Sequence, residues 1–397
     1  MDVIYPNNIL NIQADEETVG FEIENVLDNY PKRVWRAESQ SATVIIDVDR
    51  YSNAIALFNS NGKYIRFTVF KGETSGTNAL IDADFETWVA GSPSSWTKEI
   101  NVSTTEETGY SGSNSSCKLV ATDTTLKSIY QDITVVAGEY NILSLHYKNT
   151  AADVAQFRVY DNDNAAVITD WTDLEDKTTW ANGEYAFCHT FLAPTGCTSV
   201  RISLQPKTNT DIVWFDDVYV IAQEETLLYD LRGIDTYYEF FKDEANEGWD
   251  SIWYDYTILS ETHRIAVTID SNDVTVDAQI GVTQAGFNSS FSNPDYGLTE
   301  GLQDYSIVKE TNNGSFYFRK RDVVRTFQGQ ISVTRDREFY NFMTNIIRAV
   351  GPAPLAYKMT DLSNFDWTVF AMCKTMPKGV HEYYAHSTVS FDLTEVI

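Results

Sequence analysis

Much of the chain alternates apolar and polar residues with a period of two, as in Tyr64-Ile65-Arg66-Phe67-Thr68-Val69, Phe157-Arg158-Val159-Tyr160 and Arg264-Ile265-Ala266-Val267-Thr268-Ile269. That period sends successive side chains to opposite faces of a strand, so each segment predicts a half-buried β-strand. Ala42-Thr43-Val44-Ile45-Ile46-Asp47-Val48 is a β-branched run instead and predicts a strand covered on both faces. One segment changes period: over residues 336–350, Phe339, Phe342, Met343, Ile346, Ile347 and Val350 recur at helical spacing, and Gly351-Pro352 follows as a stop. The fold class that follows is mainly β, with multi-domain β-sandwiches or jelly rolls and one amphipathic helix in the C-terminal module.

At 397 residues, with 43% hydrophobic and 13% aromatic content, the chain has enough apolar surface for two or three cores. Its net charge of −28 argues against nucleic acid as a partner, because a phosphate-binding surface needs clustered Lys and Arg. The excess is uneven: residues 301–397 hold 11 Lys+Arg against 10 Asp+Glu, and residues 1–300 hold 18 against 47. No apolar run reaches the roughly 18 residues that would span a bilayer, so no membrane insertion is expected. Met1-Asp2-Val3-Ile4-Tyr5-Pro6 lacks the basic and apolar regions of a secretory leader, and export by a cleaved signal is not expected either.

Four cysteines, Cys117, Cys188, Cys197 and Cys373, show no CxxC pairing, and the neighbouring His189 directly follows Cys188 in place of zinc-ligand spacing. Cys188 and Cys197 flank a turn at 193–196, but a hairpin centred there would set Cys188 opposite a residue near Arg201, so reduced thiols are the simpler expectation. The five histidines sit in strand-like runs without a Gly-x-Ser-x-Gly elbow, and phosphate-cradling loops are absent. Asp216-Asp217 is adjacent in a strand, where alternation would point the two carboxylates apart, away from the pairing a glycosidase needs. No catalytic residue is assigned and no enzymatic activity is expected.

Polar seams at 71–78 and 222–226 divide the chain, and a looser break falls between Gly297 and Gly301. Four segments follow: 1–75, 76–222, 223–300 and 301–397. Within the second, Asp82-Ala83-Asp84-Phe85-Glu86, Tyr130-Gln131-Asp132-Ile133, Ala137-Gly138-Glu139-Tyr140, Thr178-Thr179-Trp180 and Trp214-Phe215-Asp216-Asp217-Val218 occur in order. That order resembles jelly-roll carbohydrate-binding modules of the family 4 and 9 type. Asp84, Phe85 and Glu86 match the family's Asn-Gly-Asp-Phe-Glu opening, and its Asn and Gly are not matched. The resemblance implies a structural calcium ion held by Glu86 and Asp217, with Asp84 and Asp216 as neighbours; solvated strand-capping acids are the alternative. It also implies sugar stacking on exposed aromatic rings. Trp96 and Trp171, in loop-like contexts, are the expected carbohydrate-binding residues, whereas Trp180 and Trp214 read as core.

Asn25-Val26-Leu27-Asp28, Val34-Trp35-Arg36 and Val44-Ile45-Ile46-Asp47-Val48 resemble the first half of a discoidin-type sandwich, with 223–300 as its second half beyond an insert. In 301–397, Arg325-Thr326-Phe327-Gln328-Gly329-Gln330-Ile331-Ser332-Val333, the helix and a closing strand at 387–396 resemble the recurrent core of phage distal-tail and baseplate proteins. That likeness implies a virion tail protein made in the host cytoplasm, a homo-oligomeric ring, other tail proteins as partners and host-surface glycans as targets of the insert. Arg319, Lys320, Arg321 and Arg325 form a dense basic cluster that could dock on an acidic face of a neighbour, or equally be a charged, solvated strand edge. A non-virion carbohydrate-binding accessory protein and a tail protein with a non-binding decoration are the rival expectations.

Overall fold

The computed structural model describes the chain except residues 73–77, 111–114, 126, 151–153, 175–176, 181–186, 231–250, 296, 311–315, 335–336, 360–367, 382–385 and 397. Nearly all of it is β, in two compact units. One comprises Met1–Phe67, Leu227–Thr262 and Val267–Ile397; the other comprises Thr68–Thr226 and His263–Ala266. The alternating segments form the strands Tyr64–Lys71, Ala155–Asp161 and His263–Asp270, and the β-branched run forms Ser41–Val48. Among the described residues no helix is long and apolar enough to cross a membrane.

The larger unit is organised by a nine-stranded sheet, in the order Ser251–Asp255, Ala54–Phe58, Val282–Ser290, Asp2–Asn7, Leu355–Lys358, Thr368–Val380, His386–Glu395, Val323–Thr334, Thr299–Asp304. This sheet runs through the break expected near residue 300. Asp2 and Val3 pair with Lys358 and Tyr357 on one side and with Ser290 and Ser289 on the other, so residues 301–397 share a sheet with the N-terminal segment. The helical segment covers part of it. It spans Glu338–Val350, with a π-helical middle at Asn341–Ile347, and its apolar stripe is the expected one: Phe342, Ile346 and Ile347 are buried, and Phe339, Met343 and Val350 pack beside them. Each fully buried side chain of this kind contributes about 1.5–3 kcal/mol by leaving water. Asp336, the expected start, lies outside the described residues.

The smaller unit is a sandwich of two sheets, the first contributed by five strands of a nine-stranded sheet and the second five-stranded in full. One runs Val102–Glu107, Ser116–Ala121, Ile212–Asp230, Tyr140–Asn149, Phe187–Leu192. The other runs Ala166–Asp173, Ala155–Asp161, Ser199–Pro206, Ile129–Thr134, Thr97–Lys98. Leu119, Leu143, Leu145, Val213 and Phe215 from the first meet Ile129, Phe157, Ile202 and Leu204 from the second in one core. By contact the unit comprises Thr68–Thr226 together with His263–Ala266. The polar run Gln223-Glu224-Glu225-Thr226 lies inside the 19-residue strand Ile212–Asp230 and is not a linker. Cys117, Cys188, Cys197 and Cys373 are all free thiols.

Candidate functional site

Val213, Trp214 and Phe215 are consecutive apolar residues in one strand, so alternation sends the middle one away from the core that buries the other two. Trp214 accordingly stands half-buried on the outer face of its sheet. Lys118 and Lys148 are its direct cross-strand neighbours on either side. Their ammonium groups lie 5.4 and 4.7 Å from its ring centroid. Glu107 ties this group together, accepting from Lys118 Nζ at 2.7 Å and from the Trp214 indole N–H at 2.9 Å. The Lys118 hydrogen bond, helped by that of Trp214, holds the Glu107 carboxyl below the usual carboxylate range.

Lys148 Nζ also lies 5.0 Å from the Trp180 ring. Beyond it, Tyr110 meets Trp180 edge-on at 6.2 Å and stacks on His146 at 3.7 Å with only 13° between the ring planes. Burial, and then the positive charges of Arg264 and Lys177, push His146 down to about 4, so its imidazole is neutral at pH 7. Trp214, Lys148, Trp180, Tyr110 and His146 therefore make a half-buried strip of rings and one ammonium group. This corrects the assignment of Trp180 and Trp214 to the core. The legible signal was the Val213-Trp214-Phe215 triplet, in which strand geometry cannot bury all three on one side.

An acidic group adjoins the strip. Asp216 is 1% exposed and accepts from the Tyr110 backbone N–H at 2.6 Å. Asp217 takes a left-handed φ of 44°, and its N–H donates to Asp216 Oδ1 at 2.9 Å. The ladder shifts register here, Ser144 facing Tyr219 and His146 facing Asp216, so one residue between them faces two. The bulge breaks the strict alternation expected of Asp216-Asp217. Burial, with the negative charges of Asp217 and Glu86 adding to it, pushes the Asp216 carboxyl up to about 7. Glu86 accepts from Ser115 N–H at 3.1 Å, and Asp84 faces solvent. Glu86 and Asp217 thus act on Asp216 through their charge, and the three do not bring ligand atoms within 4.8 Å of one another as a group.

The other expected site residues are placed differently. Trp96 is 5% exposed, packs on Phe85 at 5.2 Å between centroids and donates its indole N–H to the Asp82 carbonyl at 3.2 Å. It is a core residue and presents no free face to a sugar; the small, polar residues before it wrap it inward. Trp171 is half-buried on the edge strand of the second sheet, where the Arg158 guanidinium lies 5.8 Å from it and 5.0 Å from Tyr160. Arg319, Lys320 and Arg321 are exposed. Arg325 is not available in the same way: its Nη2 and Nε donate to Glu395 Oε1 at 2.9 and 3.1 Å, and its backbone N–H to Oε2.

Asp161, Asp163 and Cys197 also converge, unanticipated from the sequence. Their oxygens are occupied in locking two turns, however. Asp161 accepts from Asp163 N–H, Asn164 N–H and Asn164 Nδ2, and Asp163 Oδ2 accepts from Thr198 N–H, Thr198 Oγ1 and Ser199 N–H.

No protein-family model matches the sequence, and comparison with curated proteins finds no relative. Solved structures similar to part of the chain include the enzymatically active domain of bacteriophage CBA120 tailspike protein 4, at 16% identity over 37% of this chain and 21% of that one, with a TM-score of 0.29. A CBM4 structure is similar at 16% identity over 36% of this chain and 99% of that one, with a TM-score of 0.27. The CBM22-1 xylan-binding domain from Paenibacillus barcinonensis is similar at 14% identity, 36% and 93% coverage, and a TM-score of 0.28. At these TM-scores the likeness carries no ligand or activity to this chain.

Proposed function

We propose that the smaller unit binds glycans through the outer face that carries Trp214, Trp180 and Tyr110, and that the protein is a structural component of a phage tail or baseplate. The observation that carries the first part is the placement of the rings: Trp214 on the outer face of a strand, with Trp180 and Tyr110 from the adjoining turn and loop, all three half-buried and in reach of Lys148 or of one another. Half-buried rings offer C–H stacking to a pyranose, and the backbone of Trp214 is fixed by strand pairing on both sides, so little entropy is lost there on binding. The motif order that resembles carbohydrate-binding modules supports the same reading.

The virion part rests on the resemblance of residues 301–397 to distal-tail proteins. The larger unit acts as the assembly scaffold, a ring multiplies weak sugar contacts, and Arg319, Lys320 and Arg321 face neighbouring subunits. The resemblance also implies a calcium ion at Glu86 and Asp217, with Asp216 beside them; its binding would draw these carboxylates together and stiffen the strand bearing the strip, and the protein has no catalytic role. Sedimentation velocity on the purified chain tests the scaffold: a closed cyclic oligomer is expected, and a monomer at every concentration contradicts it. Binding of the full chain to a glycan panel, lost in Trp214→Ala, tests the face.

A further inference from the structure

We propose that the glycan taken by this face is acidic, carrying sugar-ring carboxylates as uronic acids do, and that Lys148 is the residue that selects it. The inference rests on the reading of the face as a glycan site. In a chain with 57 acidic and 29 basic residues, two lysines stand directly beside one tryptophan on adjacent strands. They differ in what they do. Lys118 is neutralised by Glu107 at 2.7 Å. Lys148 makes no salt bridge among the described residues: it lies 4.7 and 5.0 Å from the two tryptophan rings, and the carboxylate whose charge it feels, Glu107, is already bonded to Lys118 and to the Trp214 indole.

Two ammonium groups share the one Glu107 carboxylate, and Lys148, the one not hydrogen-bonded to it, has given up hydration for weak cation–π attraction. A carboxylate replaces that attraction with a charge-assisted hydrogen bond, and lifting Lys148 off the rings frees them for the pyranose faces. A uronate supplies both groups in one unit, because its carboxylate projects from the edge of the sugar ring while its C–H face stays apolar. Neutral sugars would uncover the same rings without supplying a second carboxylate for the two lysines. The net charge of −28 sharpens the point, since the chain as a whole repels polyanions and only a local positive site can hold one.

Isothermal titration of the full chain with short galacturonate and mannuronate oligomers, and with their methyl esters, separates the possibilities. The esters keep the sugar ring and remove the charge; a polyglutamate peptide keeps the charge and removes the ring. The expected result is binding of at least one acidic oligomer tenfold or more tighter than its ester, with no binding of polyglutamate. Lys148→Met should lower affinity for the acid by tenfold or more and bring the ratio of acid to ester affinity close to one, whereas Trp214→Ala should abolish both. Equal binding of acid and ester, or of neutral xylan and cellulose oligomers, unaffected by Lys148→Met and lost in Trp214→Ala, would overturn acid selectivity while leaving the face intact. No binding of any oligomer by protein with an unchanged circular dichroism spectrum would overturn the face and the inference together.

Discussion

The backbone N–H of Tyr110 donates to Oδ2 of Asp216 at 2.6 Å, so the residue whose ring stacks on His146 is anchored by the most buried member of the acidic group. The aromatic strip and the proposed cation site are thereby one construction. What steadies Asp216 steadies the position of Tyr110.

Calcium is therefore expected to stabilise the fold and to tighten glycan binding together. At about 100 times its Kd, a ligand that binds only the folded state adds about 2.7 kcal/mol. Thermal melts with calcium and with a chelator should differ in that direction, and Asp216→Asn or Glu86→Gln should remove the difference. Gly109→Ala should act likewise, because a Cβ there would lie 2.4 Å from Asp216 Oδ2 and 2.8 Å from the Ser115 carbonyl oxygen. Melts that are insensitive to calcium in the native chain would refute the cation site.

Tryptophans should divide by position. Trp96→Ala empties a core site and is expected to cost about 3–5 kcal/mol of stability in denaturant unfolding. Trp214→Ala removes a half-buried ring and one hydrogen bond to Glu107, and should cost about 1 kcal/mol while eliminating sugar binding. A stability loss at Trp214 equal to that at Trp96 would return Trp214 to the core.

His189 gives a pH signature. Burial against Phe157 pushes its imidazole down to about 4, and its Nε2 lies 3.0 Å from Thr169 Oγ1. A histidine whose folded-state value is depressed takes up its proton in the unfolded chain first, so its contribution is present above about 6.5 and is lost as pH falls toward 4. The native chain should lose about 3 kcal/mol more than His189→Gln across that window, measured as the difference between the two proteins at each pH. Parallel pH profiles would contradict a buried neutral histidine.

Arg325 should behave as a structural residue. Its bonds to Glu395 join adjacent strands of the nine-stranded sheet, and Glu395 is only 16% exposed at its side chain. Arg325→Ala removes the charged partner of that carboxylate and leaves it only the backbone N–H, and should cost about 1.5–3 kcal/mol, whereas Arg321→Ala, on an exposed side chain, should change stability by less than about 0.5 kcal/mol.

The strands and the helix were legible because their signals are local. The apolar stripe of Phe342, Ile346 and Ile347 needs only helical spacing, and Ser41–Val48 needs only β-branched composition. The sheet that joins Asp2 and Val3 to Lys358 and Tyr357 was not legible, since it depends on pairing across more than 350 positions that no local pattern encodes. At the site, the motif order pointed to Glu86 and Asp217, but the bulge that brings Asp216 into play shows in backbone geometry alone. Trp96 misled because Gly91-Ser92-Pro93-Ser94-Ser95 reads as an open loop, while in the fold that loop turns the indole inward onto Phe85. Trp214 was obscured by its apolar neighbours, although strand alternation alone puts it on the opposite face from both.

The most direct test of the account is affinity electrophoresis of the full chain, Trp214→Ala and Trp171→Ala through gels containing individual neutral and acidic polysaccharides. The account predicts that the native chain and Trp171→Ala are retarded equally by at least one polysaccharide and that Trp214→Ala runs as if none were present. Retardation that survives in Trp214→Ala, or disappears in Trp171→Ala instead, would contradict it.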